Sequence, residues 1–161
     1  MVVRVAIVRA RSLTIRELIM RLKNYTPLDT AWLRQAIAAV KPGNVSNFDI
    51  SIKNSSHGNK GRAYWAGCSY HSTNAPLVTV GLNAKTKYPY RTSSKGGYIG
   101  LTLYTMQEVA LFIIAHELRH LWQAKHTRGK IWGAKGRFSE KDADAYAKQM
   151  LRRYRRGEFA C

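Results

Sequence analysis

The chain has 161 residues, the length of a single domain, and 45% of them are apolar, which excludes an intrinsically disordered protein. Its 27 lysines and arginines face nine acidic residues, so the formal net charge is +18. The longest purely apolar run, 109–115, is too short to cross a bilayer, and two cysteines are too few for a disulfide framework. We therefore expect one cytoplasmic domain over 1–161, without a membrane partner. The charge predicts attraction to polyanions, most commonly nucleic acid, or else a solvated basic surface without a dedicated partner.

Local patterns divide the chain into an N-terminal strand with two helices, a sheet, and two further helices, at 1–45, 46–83, 105–126 and 139–156. Loose alternation predicts the first strand over 2–9. Thr14 opens a capping box followed by apolar residues at helical spacing, which predicts a helix over 14–25. Asp29 is the expected N-cap of the second helix, which Pro42-Gly43 ends.

The middle of the chain has the alternating pattern of strands. Phe48, Ile50 and Ile52 alternate with polar residues, which predicts a half-buried strand over 47–53. Two more strands, 62–71 and 75–83, are expected to form a hairpin. The polar segment 85–100 is predicted to be a long loop, and a loop of that length is either functional or mobile.

The last third of the chain predicts two helices. Thr105 begins a second capping box, and the apolar residues that follow it at helical spacing make this the clearest helix in the sequence. A loop rich in glycine and lysine follows over 127–138. Ser139 is the expected cap of the last helix, which ends at Gly157.

The predicted helix at 105–126 contains the sequence HELRH. His116 and His120 are four residues apart and point from one side of the helix, so both imidazoles can reach one Zn²⁺. Glu117 follows the first histidine, where it can accept a proton from a water that the metal activates. The alternative is a buried helix whose histidines are satisfied by hydrogen bonds. Two stacked histidines beside a glutamate would be costly on a core face without a metal, so we favour the zinc site.

A catalytic zinc normally takes a third protein ligand, and two residues compete for this position. His126 has the spacing of the longer motif HExxHxxGxxH, but Gln123 occupies the position where that motif needs glycine to end the helix. Glu140 is the favoured ligand, because a helix packed against HELRH can present it to the metal. Asp144, one turn further, can accept the ring N–H of a ligand histidine. Alternatively, these acids only complement the dipole at the helix N-terminus.

HELRH followed by Glu140, Ala143 and Asp144 resembles the gluzincin metallopeptidases, whose pattern is HExxH followed by ExxxD or ExxAD. The order of hairpin, capped helix and short acidic helix, over about residues 47–150, is also similar to small zincins of the SprT-like and ImmA/IrrE-like kinds. The resemblance implies an α+β fold in which a short mixed or antiparallel sheet packs on the HExxH helix. It also implies zinc as the cofactor and peptide hydrolysis as the activity. SprT-like domains usually use a third histidine, which keeps His126 as the alternative ligand.

In this chemistry Glu117 is the general base and later protonates the leaving amine. An additional donor should stabilise the oxyanion, and the sequence leaves its identity open. The candidates are Tyr146, His126, Tyr88, Tyr90 and Tyr98, although for any single one of them we favour ordinary packing. In related zincins an extended peptide substrate adds to a sheet edge, and strand 75–83 is the one we predict for this role.

The C-terminal sequence RRYRR suggests a second partner. Its side chains could bind nucleic acid, with Tyr154 available for stacking, through Arg152, Arg153, Arg155 and Arg156. A basic last turn that suits the helix dipole is the alternative. The sequence thus predicts a zinc metallopeptidase that could act near nucleic acid. The competing hypothesis is a basic nucleic-acid-binding module with a structural or vestigial zinc site.

Overall fold

The computed structural model describes residues 19–64, 75–94, 99–126 and 137–159. These residues form six strands and three helices, in the order β1 (Ile19–Tyr25), α1 (Thr30–Val40), β2 (Phe48–Asn54), β3 (Lys60–Tyr64), β4 (Leu77–Leu82), β5 (Tyr90–Arg91), β6 (Thr102–Leu103), α2 (Met106–His126) and α3 (Arg137–Arg155). The fold is α+β, as the sequence predicts. The strand predicted at 2–9 lies outside the described residues.

Four strands form one mixed sheet in the order β1-β2-β4-β3. β2 is parallel to both β1 and β4, whereas β3 is antiparallel to β4. α1 lies in the crossover between β1 and β2, as the connection of two parallel strands requires. β5 and β6 form a separate two-stranded ribbon, so the segment predicted as a loop over 85–100 contains one very short strand.

The helix predicted over 14–25 is wrong for 19–25, which form the edge strand β1, and 14–18 lie outside the described residues. Side-chain exposure in β1 alternates: Arg21 and Lys23 are exposed, whereas Leu22 and Asn24 are half-buried. β2 supplies a parallel partner for the backbone of this segment. Pairing with a distant strand outweighs the local helical pattern here.

Most other predicted elements of the first half are confirmed. The Asp29 carboxylate accepts a hydrogen bond from the Trp32 N–H (2.7 Å) at the start of α1. The strand predicted at 47–53 is β2, and the predicted pairing of two later strands is the antiparallel β3–β4 pair. Residues 65–74, which include the rest of the predicted strand 62–71 and its predicted connection to the next strand, lie outside the described residues.

The core lies between one face of the sheet and the helices. Strands β2 and β4 contribute alternate apolar side chains that are at most 1% exposed, since residues of a strand point alternately to its two faces. The fully buried side chains include Phe48, Ile50, Ile52 and Leu82 from the sheet, Leu33 and Ile37 from α1, and Leu111, Ile114, Leu118 and Leu121 from α2. Among the described residues, no helix is both long enough and apolar enough to cross a bilayer.

Helices α2 and α3 pack against each other, and an ion pair joins the start of α2 to the end of α3. Thr105 Oγ1 accepts the Glu108 N–H (3.1 Å), as the predicted cap requires. The Glu108 carboxylate binds the Arg155 guanidinium through two contacts of 2.8 and 2.7 Å. Ser139 is not the cap of α3, because this helix begins two residues earlier, at Arg137. Gly157, at φ +68°, ends α3 in the left-handed conformation that glycine adopts readily.

Candidate metal centre

The three residues of the HExxH motif lie on the buried face of α2. His116, Glu117 and His120 are 8%, 7% and 6% exposed. The two histidines are one helical turn apart, and their Nε2 atoms are 3.0 Å from each other. The helix therefore brings both imidazoles to one point, as the i, i+4 spacing predicts.

α3 adds a carboxylate at the same point. Glu140 Oε2 lies 3.2 Å from His116 Nε2, and Glu140 Oε1 lies 3.4 Å from His120 Nε2. Ala143 and Ala147, both fully buried, allow α3 to approach α2 closely. The ligand atoms of the two histidines and the glutamate lie within 4.8 Å of one another, so these residues could hold a metal ion.

Hydrogen bonds on the far side of each ring fix the tautomer that each imidazole adopts when it is neutral. His116 Nδ1 lies 2.7 Å from Asp144 Oδ1, a carboxylate oxygen that can only accept. His120 Nδ1 lies 2.8 Å from Gln123 Oε1. The amide of Gln123 is oriented by its Nε2, which donates to the Ser139 carbonyl (2.9 Å). Both Nδ1 atoms are therefore donors, and each Nε2 of a neutral ring directs a lone pair toward Glu140.

This donor set fits a small cation. Two lone pairs and a carboxylate at these separations repel one another unless a proton or a metal ion lies among them. Tetrahedral zinc with ligands at about 2.0–2.1 Å needs ligand atoms about 3.3 Å apart. The separations of 3.0, 3.2 and 3.4 Å are close to that value. Two imidazoles and one carboxylate are also a ligand set that catalytic zinc uses.

The electrostatic environment of the site also favours a cation. Burial disfavours a charged imidazole, yet the carboxylates of Asp144 and Glu140 raise the pKa of His116 to about 10. Hydrogen bonds from His116 and His120 hold the pKa of Glu140 well below its ordinary value. A metal ion at this point would replace a proton that the site itself holds tightly.

Asp144 contacts two donors, one of which is the histidine ring N–H that the sequence predicts for it. Its Oδ1 accepts the His116 Nδ1–H, and its Oδ2 accepts the backbone N–H of Ile99 (2.5 Å). Asp144 is 2% exposed, so neither oxygen has ready access to water. The carboxylate therefore fixes the orientation of the His116 ring and also joins α3 to the segment that precedes β6.

Asp144→Asn is expected to weaken zinc binding by about 10–100-fold, the usual effect of losing a hydrogen-bond partner of a ligand histidine. An amide has one acceptor oxygen, so either the His116 Nδ1–H or the Ile99 N–H would face an N–H₂ group. Competition with a chromophoric chelator measures the affinity. Asp29→Asn is the matched control. It removes the same charge at the N-cap of α1, where asparagine caps a helix as well as aspartate does. An unchanged affinity in Asp144→Asn would show that another group orients His116.

Gln123 is a supporting residue that the sequence does not identify. It accepts from His120 through Oε1 and donates through Nε2 to the Ser139 carbonyl and to Asp142 Oδ2 (2.8 Å). From the sequence alone, Gln123 indicates only that the longer motif HExxHxxGxxH is not complete, because it stands where that motif has glycine. Its position three residues after His120 puts it on the same helix face, which allows a contact with the His120 ring. Its partners on α3 can be identified only from the three-dimensional structure.

β3 lies directly over Glu117. The Ala63 backbone N–H donates to the Glu117 carboxylate. A Cβ on Gly61 would lie 2.5 Å from Glu117 Oε1 and 2.6 Å from Ile113 Cγ2, so only glycine allows this approach. Burial raises the pKa of Glu117, and the neighbouring imidazoles oppose this shift. The carboxylate is thus held between β3 and the two histidines.

Gly61→Ala is expected to destabilise the protein by about 1–3 kcal/mol, the usual cost of inserting atoms into a filled space. Either β3 must move away or Glu117 must leave its position. Chemical denaturation measures the free energy of unfolding. Gly43→Ala is the matched control, because a Cβ there meets nothing within 4 Å, and we expect a change within about 0.5 kcal/mol. Equal stability of both variants would contradict the placement of β3 against Glu117.

The structure does not bring the other candidate residues that it describes into this group. His126 is exposed at the end of α2, stacks on Trp122 with ring centroids 4.2 Å apart, and contacts the Trp122 carbonyl through Nδ1 (2.9 Å). The Tyr146 hydroxyl donates to the Val40 carbonyl (2.8 Å). Tyr90 packs against the core from β5, Tyr88 is 37% exposed, and the position of Tyr98 lies outside the described residues.

The strand predicted at 75–83 to receive a substrate is wrong for that role. It forms β4, which is paired with β2 on one side and with β3 on the other. Its backbone donors and acceptors are therefore used within the sheet. In the part of the sheet that the structure describes, β3 and β1 are the edge strands.

Most of the C-terminal arginines have acidic partners. Arg153 and Arg156 contact Glu158, with Arg153 Nε 2.9 Å from Glu158 Oε2, and Arg155 binds Glu108. Tyr154 is half-buried, with its ring edge-on to Trp32 at 6.4 Å between centroids. Arg152 is exposed. The basic sequence thus contributes to the attachment of α3 and the C-terminal turn.

No protein-family model, no curated protein and no solved structure matches this chain.

Proposed function

We propose that the protein is a zinc-dependent peptidase. One observation supports this most strongly: His116, His120 and Glu140 direct three ligand atoms to one point, beside the buried carboxylate of Glu117. Three protein ligands leave one coordination position for a reactant, as catalytic zinc sites do, whereas structural zinc sites are closed by four protein ligands. This favours a catalytic site over a structural one among the residues described.

In the proposed reaction, His116, His120 and Glu140 hold the ion. When bound, zinc polarises a carbonyl oxygen and lowers the pKa of water toward about 7. Glu117 accepts a proton from the attacking water at a carboxylate oxygen and returns it to the leaving amine. The Ala63 N–H and the close approach of Gly61 fix the position of this carboxylate. Asp144 and Gln123 hold the two imidazoles in the tautomer that leaves Nε2 for the metal.

The proposed substrate is a peptide segment in extended conformation. β3 forms an edge of the described sheet and lies over Glu117, so a peptide that pairs with its outer side would lie next to the ligand group. β3 therefore replaces strand 75–83 as the proposed substrate strand. The short length of β3, Lys60–Tyr64, and the use of the Ala63 N–H by Glu117 would limit the pairing to a few residues of the substrate.

The experiment that tests this function is digestion of a complex peptide mixture, with cleavage products identified by mass spectrometry. Cleavage by the zinc-loaded protein is expected to stop after metal removal with 1,10-phenanthroline and to return on addition of Zn²⁺. A complex mixture is needed because a selective enzyme would leave a single generic substrate intact. Two histidines and a carboxylate also bind Fe(II) in oxygenases, so restoration by Fe(II) alone would contradict the proposal. Cleavage that survives metal removal would contradict it as well.

A further inference from the structure

The face of the sheet opposite the core carries an unusual set of side chains. In the paired strands, residues directly opposite each other point to the same face, so the register defines rows across all four strands. Two adjacent rows point away from the core; they are Lys23–Ser51–Thr79–Arg62 and Tyr25–Lys53–Gly81–Lys60, and we call them the basic face.

The basic face is open and strongly positive. Lys23, Lys53, Lys60 and Arg62 are exposed, and Tyr25 is 61% exposed. The eight positions include four cations and no acid. Within the described part of the chain, none of these four cations forms an ion pair with a carboxylate. The acid of the neighbouring row, Asp49, is itself buried and lies 3.9 Å from Arg21.

The cations flank the middle of the face on both sides. Lys23 lies on β1 and Arg62 on β3, and strands about 4.8 Å apart put these positions about 14 Å from each other. Ser51 and Thr79 lie between them, and both are small and half-buried. In the next row the side chains of Ser55 and Lys60 lie beside Gly81. A negatively charged backbone could therefore lie across the face with cations on either side.

Tyr25 adds a feature that a simple anion site does not need. Its ring is exposed next to Lys53, at the edge of the sheet. An exposed aromatic ring beside cations is the combination with which proteins bind single-stranded nucleic acids, because every base has a face that can stack. The net charge of +18 provides long-range attraction to the same class of ligand.

We infer that the basic face binds a single strand of nucleic acid, with phosphates on Lys23, Lys53, Lys60 and Arg62 and a base on Tyr25. This surface is separate from the proposed catalytic group, because Gly61 and Ala63 of β3 point to Glu117 on the opposite side of the sheet. The inference does not rest on the proposed peptidase activity. It also moves the nucleic-acid surface from the C-terminal arginines, most of which are paired with acids, to a sheet face whose cations are not.

The test is fluorescence anisotropy of the full chain with a labelled 12-nucleotide single-stranded DNA of mixed sequence, over a series of salt concentrations. The double variant Lys23→Gln/Lys53→Gln is expected to bind at least about tenfold more weakly and to reduce the salt slope by about 0.7 for each phosphate that is no longer neutralised. Tyr25→Leu is expected to weaken binding about tenfold without changing the slope. Thermal unfolding verifies that each variant folds.

Lys148→Gln/Arg152→Gln is the matched control, because it removes two cations that are four residues apart on α3. We expect it to change affinity less than about threefold. If both double variants lose the same affinity, the binding is nonspecific electrostatic attraction, and the inference is overturned. A larger reduction in the α3 variant would place the DNA on that helix and overturn it too. Two results together would indicate an acidic protein segment as the ligand instead. These are wild-type affinity in Tyr25→Leu, and displacement of the labelled DNA by poly-glutamate as effectively as by unlabelled DNA.

Discussion

Replacement of Glu140 by alanine is expected to reduce bound zinc from one ion per chain to none, whereas His126→Ala retains the full amount. The two oxygens of Glu140 lie 3.2 and 3.4 Å from the two histidine Nε2 atoms, and α3 provides the described group with its single carboxylate ligand. Removal of a direct ligand should lower the zinc affinity by more than the roughly 10–100-fold that follows removal of a hydrogen-bond partner of a ligand. Elemental analysis after dialysis against a weak chelator measures the stoichiometry.

The comparison with His126→Ala gives this experiment its control. His126 is the competing third ligand, but in the structure it is exposed and contacts the Trp122 carbonyl. Zinc retained by Glu140→Ala and lost by His126→Ala would assign the third ligand to His126. A wild-type protein that takes up no zinc after reconstitution would contradict the proposed peptidase, while the inference about the basic face would stand.

Glu117→Gln is expected to lower the rate of peptide hydrolysis by about 10²–10⁴-fold, the usual contribution of a general acid–base group. Glutamine has the same shape, and its amide oxygen can still accept the Ala63 N–H. The side chain can no longer accept a proton from water at neutral pH. Initial rates on the best substrate of the peptide mixture measure the effect.

The zinc content of Glu117→Gln shows whether a lower rate results from the loss of the base or from damage to the metal site. Glu117 is not one of the three residues in the metal-ligand group, so Glu117→Gln should bind one zinc ion with unchanged affinity and unfold at about the wild-type temperature. Wild-type hydrolysis by this variant would exclude Glu117 as the base. The competing hypothesis of a binding module with a structural or vestigial zinc site predicts instead that neither the wild-type protein nor the variant hydrolyses peptides.

The sequence predicts the centre of the candidate site well, because helical periodicity is a local property. His116 and His120 must lie on the same face of any helix that contains both. The approach of Glu140 is a contact between two helices, and its prediction depends on the resemblance to the ExxAD pattern. The role of Gln123 cannot be derived in this way, since its partners Ser139 and Asp142 belong to a helix whose position the sequence does not specify.

The parts of the fold that the sequence predicts wrongly depend on long-range pairing. Residues 19–25 have apolar spacing that suits a helix, but they pair with β2, which begins more than twenty residues later. Strand 75–83 has the character of an edge strand when it is considered with its hairpin partner alone. Its other neighbour, β2, makes it an interior strand. The order of strands in a sheet follows from these distant contacts and not from local periodicity.

The position of all three candidate ligands on consecutive helices has a consequence for the order of folding. α2 and α3 follow each other in the chain, and contacts between neighbouring elements form faster than the parallel pairing of β1, β2 and β4 across crossovers. We therefore expect the group formed by His116, His120 and Glu140 to assemble before β3 reaches Glu117. If the group holds the proposed ion, binding of that ion would not depend on the closure of the sheet over the helix, whereas the position of Glu117 would.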